Sequence, residues 1–250
     1  MASGQWLIAN LETVTATRQR TRQSPWLFDF YRSQIGRKWA MAVTGVILLA
    51  YIVAHLLGNL KVYLGPEEIN AYGESLRDLG GHLVPRTNLL WIMRIGLTAA
   101  FAIHVHAAFS LAIENRRKGG DVGYQTPRDY LVASYASRTM IWSGIIVLLF
   151  IGYHLADLTW GWANPDFVRG DIYHNMVESF SRAPVAAIYI AANVALGFHI
   201  YHGAWSLFQS IGANNPRFNQ WRRWFAQASA TIIVVGNVLF PVMVLAGVIE

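Results

Sequence analysis

The chain has no cysteine. That excludes disulfides, and it excludes an iron–sulfur cluster or a thiolate zinc site built from this chain alone. Charge is also scarce: 14% of the 250 residues are Asp, Glu, Lys or Arg, where an ordinary soluble domain carries about 25%. Carboxylates are nearly missing from the apolar runs, with Glu114 and Asp157 near run ends. A proton or metal channel lined by interior carboxylates therefore lacks its usual groups. The N-terminus shows no cleavable signal pattern, because a basic segment precedes the first long apolar run. No internal repeat or low-complexity segment stands out.

What is abundant is apolar sequence, 54% of the chain. It falls into blocks of about 20 residues, the length that crosses roughly 30 Å of hydrocarbon. Five spans are expected, at about 39–60, 88–113, 139–160, 184–208 and 228–249. The fold class is thus an all-α bundle of five transmembrane helices, with 1–38 a basic tail and 39–250 the membrane domain. In the tail, Leu27-Phe-Asp-Phe-Tyr31 suits an amphipathic helix lying at the interface. Pro184 suits the first turn of span four, and Pro241 is expected to kink span five.

Charge sets the expected orientation. The tail and the two loops on its side carry 14 Lys/Arg against 5 Asp/Glu, and the opposite side 6 against 9. The positive-inside rule places the N-terminus in the cytoplasm and the C-terminus outside. The net charge of +6 reads as a topology signal rather than as a nucleic-acid footprint. The expected location is a bacterial inner membrane.

Four of the five spans carry histidine: His55, then His104 and His106, then His154, then His199 and His202. An ionisable residue inside a span is costly and points to function. Helix rise of about 1.5 Å per residue sorts these by depth. His55 and His154 lie about 24 Å in from the cytoplasmic side, and His106 and His199 about 12 Å from it. Two histidines at one depth on different helices can ligate a haem iron from both faces, and haem b needs no cysteine. Two such haems, about 12 Å apart in height, would relay electrons across the bilayer. A single histidine in a membrane helix also serves by bonding a neighbouring carbonyl, and histidines line proton and metal pathways too. Only one of His104 and His106 can face the second site, since they point about 200° apart. Flanking positions have plainer roles: Trp91, Trp160 and Trp162 suit an interfacial belt, and His82 and His174 lie in outer loops.

Several stretches resemble the single-chain, five-helix, di-haem cytochrome b anchor of succinate:quinone oxidoreductases (succinate dehydrogenase and fumarate reductase, complex II). Phe198-His-Ile-Tyr-His-Gly-Ala-Trp-Ser206 is similar to that family's F-H-x-x-x-G-x-W-S signature. Ile151-Gly-Tyr-His154, His106-Ala-Ala-Phe109 and Ala54-His-Leu-Leu57 resemble its other ligand segments. The resemblance covers about residues 33–249. It implies that His55 and His154 hold a distal haem b, and His106 and His199 a proximal one. It also implies two cytoplasmic partners, a flavoprotein with covalent FAD and an iron–sulfur subunit. This chain would accept their electrons and reduce a membrane quinone, menaquinone or ubiquinone.

Ser33-Gln-Ile-Gly-Arg37 resembles the S-x-x-x-R of quinone sites in related anchors, with Gly36 where some relatives have histidine. By that likeness Ser33 and Arg37 bind quinone, with His202 and Trp205 as further candidates near the same end. Arg94, inside the outer part of span two, suits a haem propionate, and snorkelling to the surface is its plainer role. Three other readings stay open: a cytochrome b anchor of another quinone-linked dehydrogenase, a site where histidines and a partner's thiolates hold an iron–sulfur cluster, and a haem-free transporter.

Overall fold

In the computed structural model the chain is all-helical, 83% helix. The structure describes residues 25–118, 131–212, 215, 217 and 219–250, of which 118 and 131–138 as backbone only. Arg18, Arg20 and Arg22 of the basic tail, and Gly119 and Gly120, lie outside the described residues.

Among the described residues eight α-helices follow in order: α1 (Trp26–Arg32), α2 (Gln34–Asn59), α3 (Pro66–Ser75), α4 (Asn88–Lys118), α5 (Leu131–Leu158), α6 (Ile172–Ser181), α7 (Ala183–Ser210) and α8 (Asn219–Leu245). Five of them, α2, α4, α5, α7 and α8, are long and apolar enough to cross a membrane, so the chain is a multi-pass membrane protein. Their surfaces are lined with exposed Val, Ile, Leu and Trp, as lipid contact requires. The expected interfacial segment is α1, with Trp26, Leu27, Phe28 and Phe30 all exposed. Pro184 does stand in the first turn of α7. Pro241 lies inside α8, which runs on to Leu245.

Helix α7 is the hub. It packs closely on α8 and on α5, and α2 packs on α4. Gly197 permits the tightest of these contacts: a Cβ there would sit 2.3 Å from Val234 of α8. By contrast, among the described residues the backbones of α2 and α5 do not pack closely, nor do those of α4 and α7, which leaves two gaps between helices. The short helices α3 and α6 cover the end of the bundle opposite α1. There Asn70 of α3 donates to the Asp171 carboxylate and accepts from the Ile172 N–H, while Asp171 caps α6 by accepting from the His174 N–H.

Candidate functional site

The two gaps between unpacked helices are where the histidines meet. His55 of α2 and His154 of α5 face each other with ring centroids 5.9 Å apart. His104 of α4 and His199 of α7 do the same at 6.4 Å. A histidine nitrogen sits about 2 Å from a bound transition metal and about 1.1 Å from its own ring centre. Two imidazoles trans across one metal therefore have centroids about 6 Å apart. Both pairs have that spacing.

The second pair corrects the sequence expectation. His104, and not His106, faces His199. His106 points to the other side of α4, where its Nδ1 lies 2.6 Å from the Tyr31 hydroxyl and its Nε2 3.5 Å from Ser110. Its ring stacks on Tyr31, so it ties α1 to the bundle. With Tyr31 at its Nδ1, His106 is turned away from His199.

The hydrogen bonds around the facing rings favour ligation. Thr44 donates to the Ala40 carbonyl at 2.6 Å, so its oxygen is left to accept from His104 Nδ1, 3.2 Å away. Ser143 repeats this on α5: it donates to the Met140 carbonyl at 3.2 Å and lies 3.4 Å from His199 Nδ1. Both hydroxyl residues are buried. Each hydroxyl oxygen is thus placed to accept from an Nδ1–H of its partner ring, the kind of support found behind metal-ligating histidine. The following residues, Gly45 and Gly144, lie against the same rings. A Cβ on either would stand 3.4 Å from the ring's Cε1.

At the other pair, His154 Nδ1 lies 3.4 Å from the Tyr189 hydroxyl. Tyr189 donates to Asp157 at 2.8 Å. Asp157 is fully buried, and it also accepts from Ser179 and Arg182, each at 2.9 Å. A buried carboxylate needs such pairing to be tolerated. Asp157 had seemed only a residue near a span end; its side chain instead reaches inward, toward α6 and α7. His55 stacks on Tyr51 at 5.5 Å.

The two pairs lie at different heights. Thr44 and His55 are eleven residues apart on α2, as are Ser143 and His154 on α5. Each helix independently puts about 16 Å between the two levels, somewhat more than the depth arithmetic gave. The donor set suits b-type haem: two imidazoles in each pair at the spacing of trans ligands, between helices whose backbones do not pack closely.

The remaining expected residues are placed as follows. Ser33 accepts from the Gly36 N–H and donates to the Phe30 carbonyl, so it is the N-cap of α2. Arg37 pairs with Glu114 of α4 at 3.0 Å and with the Arg32 carbonyl. The quinone expectation placed on Ser33 and Arg37 thus falls on side chains that already have partners within the chain. No side chain fits at position 36, because a Cβ on Gly36 would lie 1.9 Å from the Phe30 carbonyl oxygen. The His202 Nε2 is taken by Thr139 at 3.2 Å. Trp205 stacks under Arg222, 4.7 Å away, and its carbonyl accepts from that guanidinium. Arg94 is exposed on α4 and lies over the Trp91 ring at 5.2 Å, within electrostatic reach of Tyr51. Among the described residues no carboxylate pairs with it. His174 bonds the Asp166 carbonyl, and His82 is exposed in the loop before α4.

Comparison of the chain with family models, curated proteins and solved structures finds no match.

Proposed function

We propose that the chain is a membrane-embedded di-haem electron carrier, the cytochrome b anchor of a quinone-linked dehydrogenase of the succinate:quinone oxidoreductase kind. The observation that carries this is the pair of facing histidines, repeated twice, each at the centroid spacing of two ligands trans on one metal. His55 and His154 would hold one haem b, and His104 and His199 the other. When bound, each haem iron supplies a one-electron carrier with no open coordination position. Arg94, a cation exposed within a span, needs an anionic partner, and a propionate at the His55/His154 level answers that need.

The protein's own contributions are positional. Thr44 and Ser143 fix the tautomers of His104 and His199, and Tyr189 fixes that of His154. A planar group at each level would lie between helices whose backbones do not pack closely, α2 and α5 at one and α4 and α7 at the other. The tail end of the bundle, taken as cytoplasmic, receives electrons from an iron–sulfur subunit served by a flavoprotein with FAD. A membrane quinone, menaquinone or ubiquinone, takes them on. Where the quinone sits is not carried over from Ser33 and Arg37, whose side chains hold α2 to its neighbours.

Purification of the chain with whatever it holds tests the assembly. A copurifying flavoprotein and iron–sulfur subunit, with succinate-dependent quinone reduction, is the expected result. A copurifying molybdenum or nickel subunit would assign the chain to another dehydrogenase. Colourless protein that moves ions or solute would replace the reading with a transporter.

A further inference from the structure

Three of the four facing histidines have a hydroxyl oxygen at Nδ1. Two of those hydroxyls lead only to a backbone carbonyl. The third, Tyr189, leads to a charge: it donates to Asp157, which Arg182 and Ser179 hold from the other side. Asp157 is 0% exposed, whereas the Arg182 side chain is 33% exposed at the loop before α7. The line His154, Tyr189, Asp157, Arg182 therefore runs from the site to the surface.

We propose that Asp157 is a positioning residue for His154, acting through Tyr189. The carboxylate accepts the hydrogen bond of the Tyr189 hydroxyl, which leaves the Tyr189 oxygen only as an acceptor toward His154. That oxygen then accepts the His154 Nδ1–H and turns the bare Nε2 toward His55. The same line carries negative charge toward the imidazole, makes it a stronger donor, and favours the oxidised form of a metal it binds. Among the described residues the pair His104/His199 has no such line, so the two centres would be set to different potentials, the His55/His154 centre the lower. This rests on the haem reading above in its second half, and on this chain alone in its first.

The test uses Tyr189→Phe, which cuts the line yet leaves the Asp157–Arg182 and Asp157–Ser179 bonds in place, beside Asp157→Asn. In full-length protein made without haem and carrying 15N-histidine, His154 (assigned by its loss in His154→Gln) is expected as the Nδ1–H tautomer. Tyr189→Phe should abolish that preference; an unchanged tautomer would overturn the proposal. In the haem-loaded complex, both variants should raise the midpoint potential of the His55/His154 centre by about a tenfold change in its redox equilibrium, some 59 mV for one electron. The double variant should go no further than Tyr189→Phe, and the other centre should not move. No shift in Tyr189→Phe, or an equal shift at both centres, would reduce Asp157 to a clamp between helices. Wild-type protein that binds no haem would overturn the function proposed above, while the tautomer measurement would still decide this one.

Discussion

The His104/His199 pair and the His55/His154 pair are alike in spacing and unlike in what stands behind them. The first is held symmetrically: a hydroxyl from α2 and one from α5, each followed by glycine, each already bonded to its own helix carbonyl. The second is held unequally, His55 by a stacked Tyr51 and His154 by a tyrosine that answers to a buried carboxylate. Ring geometry limits what can bind; behind one pair stands the Asp157–Arg182 ion pair, behind the other only hydroxyls bonded to helix carbonyls. On the haem reading proposed above, two sites of one ligand class would thereby differ in energetics.

The largest expected effect separates the sites outright. His55→Ala or His154→Ala should remove one haem and leave the other, His104→Ala or His199→Ala the reverse, and His106→Ala should remove neither, with haem counted per chain. Loss of a haem in His106→Ala, with both kept in His104→Ala, would reverse the assignment on α4. A smaller but site-selective loss is expected from Gly144→Val. A Cβ there already touches the His199 ring, so two further methyls must displace it, and occupancy should fall at the His104/His199 centre alone.

Ser143→Ala should be milder still. It removes one hydrogen-bond acceptor and should weaken haem retention there by about tenfold, the lower end for an outer-sphere partner, read as the rate of haem transfer to an apo-acceptor. An equal change at both centres would blur the distinction between them.

The smallest effect lies outside the membrane. The Asp171 carboxyl is held below its ordinary value, first by the His174 backbone N–H and then by the Asn70 side chain. A depressed folded value means stability that is fully present above the unfolded value of about 3.9 and lost as pH falls through the folded one. Asp171→Asn should therefore flatten the acid limb of a thermal-stability profile below about pH 4. Because α6 also supplies Ser179 to Asp157, acid loosening of this cap is expected to reach the His55/His154 centre first.

Much of this was legible in the sequence, and the exceptions have physical causes. Blocks of about 20 apolar residues fix the five spans because hydrocarbon thickness leaves little choice. Depth arithmetic paired the helices whose histidines meet, α2 with α5 and α4 with α7, since rise per residue is nearly constant. It could not choose between His104 and His106, which differ by 3 Å in height but by about 200° in direction. That choice depends on how α4 is rotated, and packing sets the rotation. A signal was available: Thr44-Gly45 precedes His55 by the same interval at which Ser143-Gly144 precedes His154, which places a hydroxyl and a gap at one level on two helices. Asp157 escaped notice because a carboxylate near a span end reads as solvated. Only the fold shows that α6 and α7 close over it.

The central claim is that two trans histidine pairs hold two haems. The most direct measurement is the dithionite-reduced minus oxidised optical spectrum of the purified protein, with haem counted per chain. The account predicts two b-type haems with bis-histidine spectra. Protein with no haem, or with spectra lacking bis-histidine character, would contradict it.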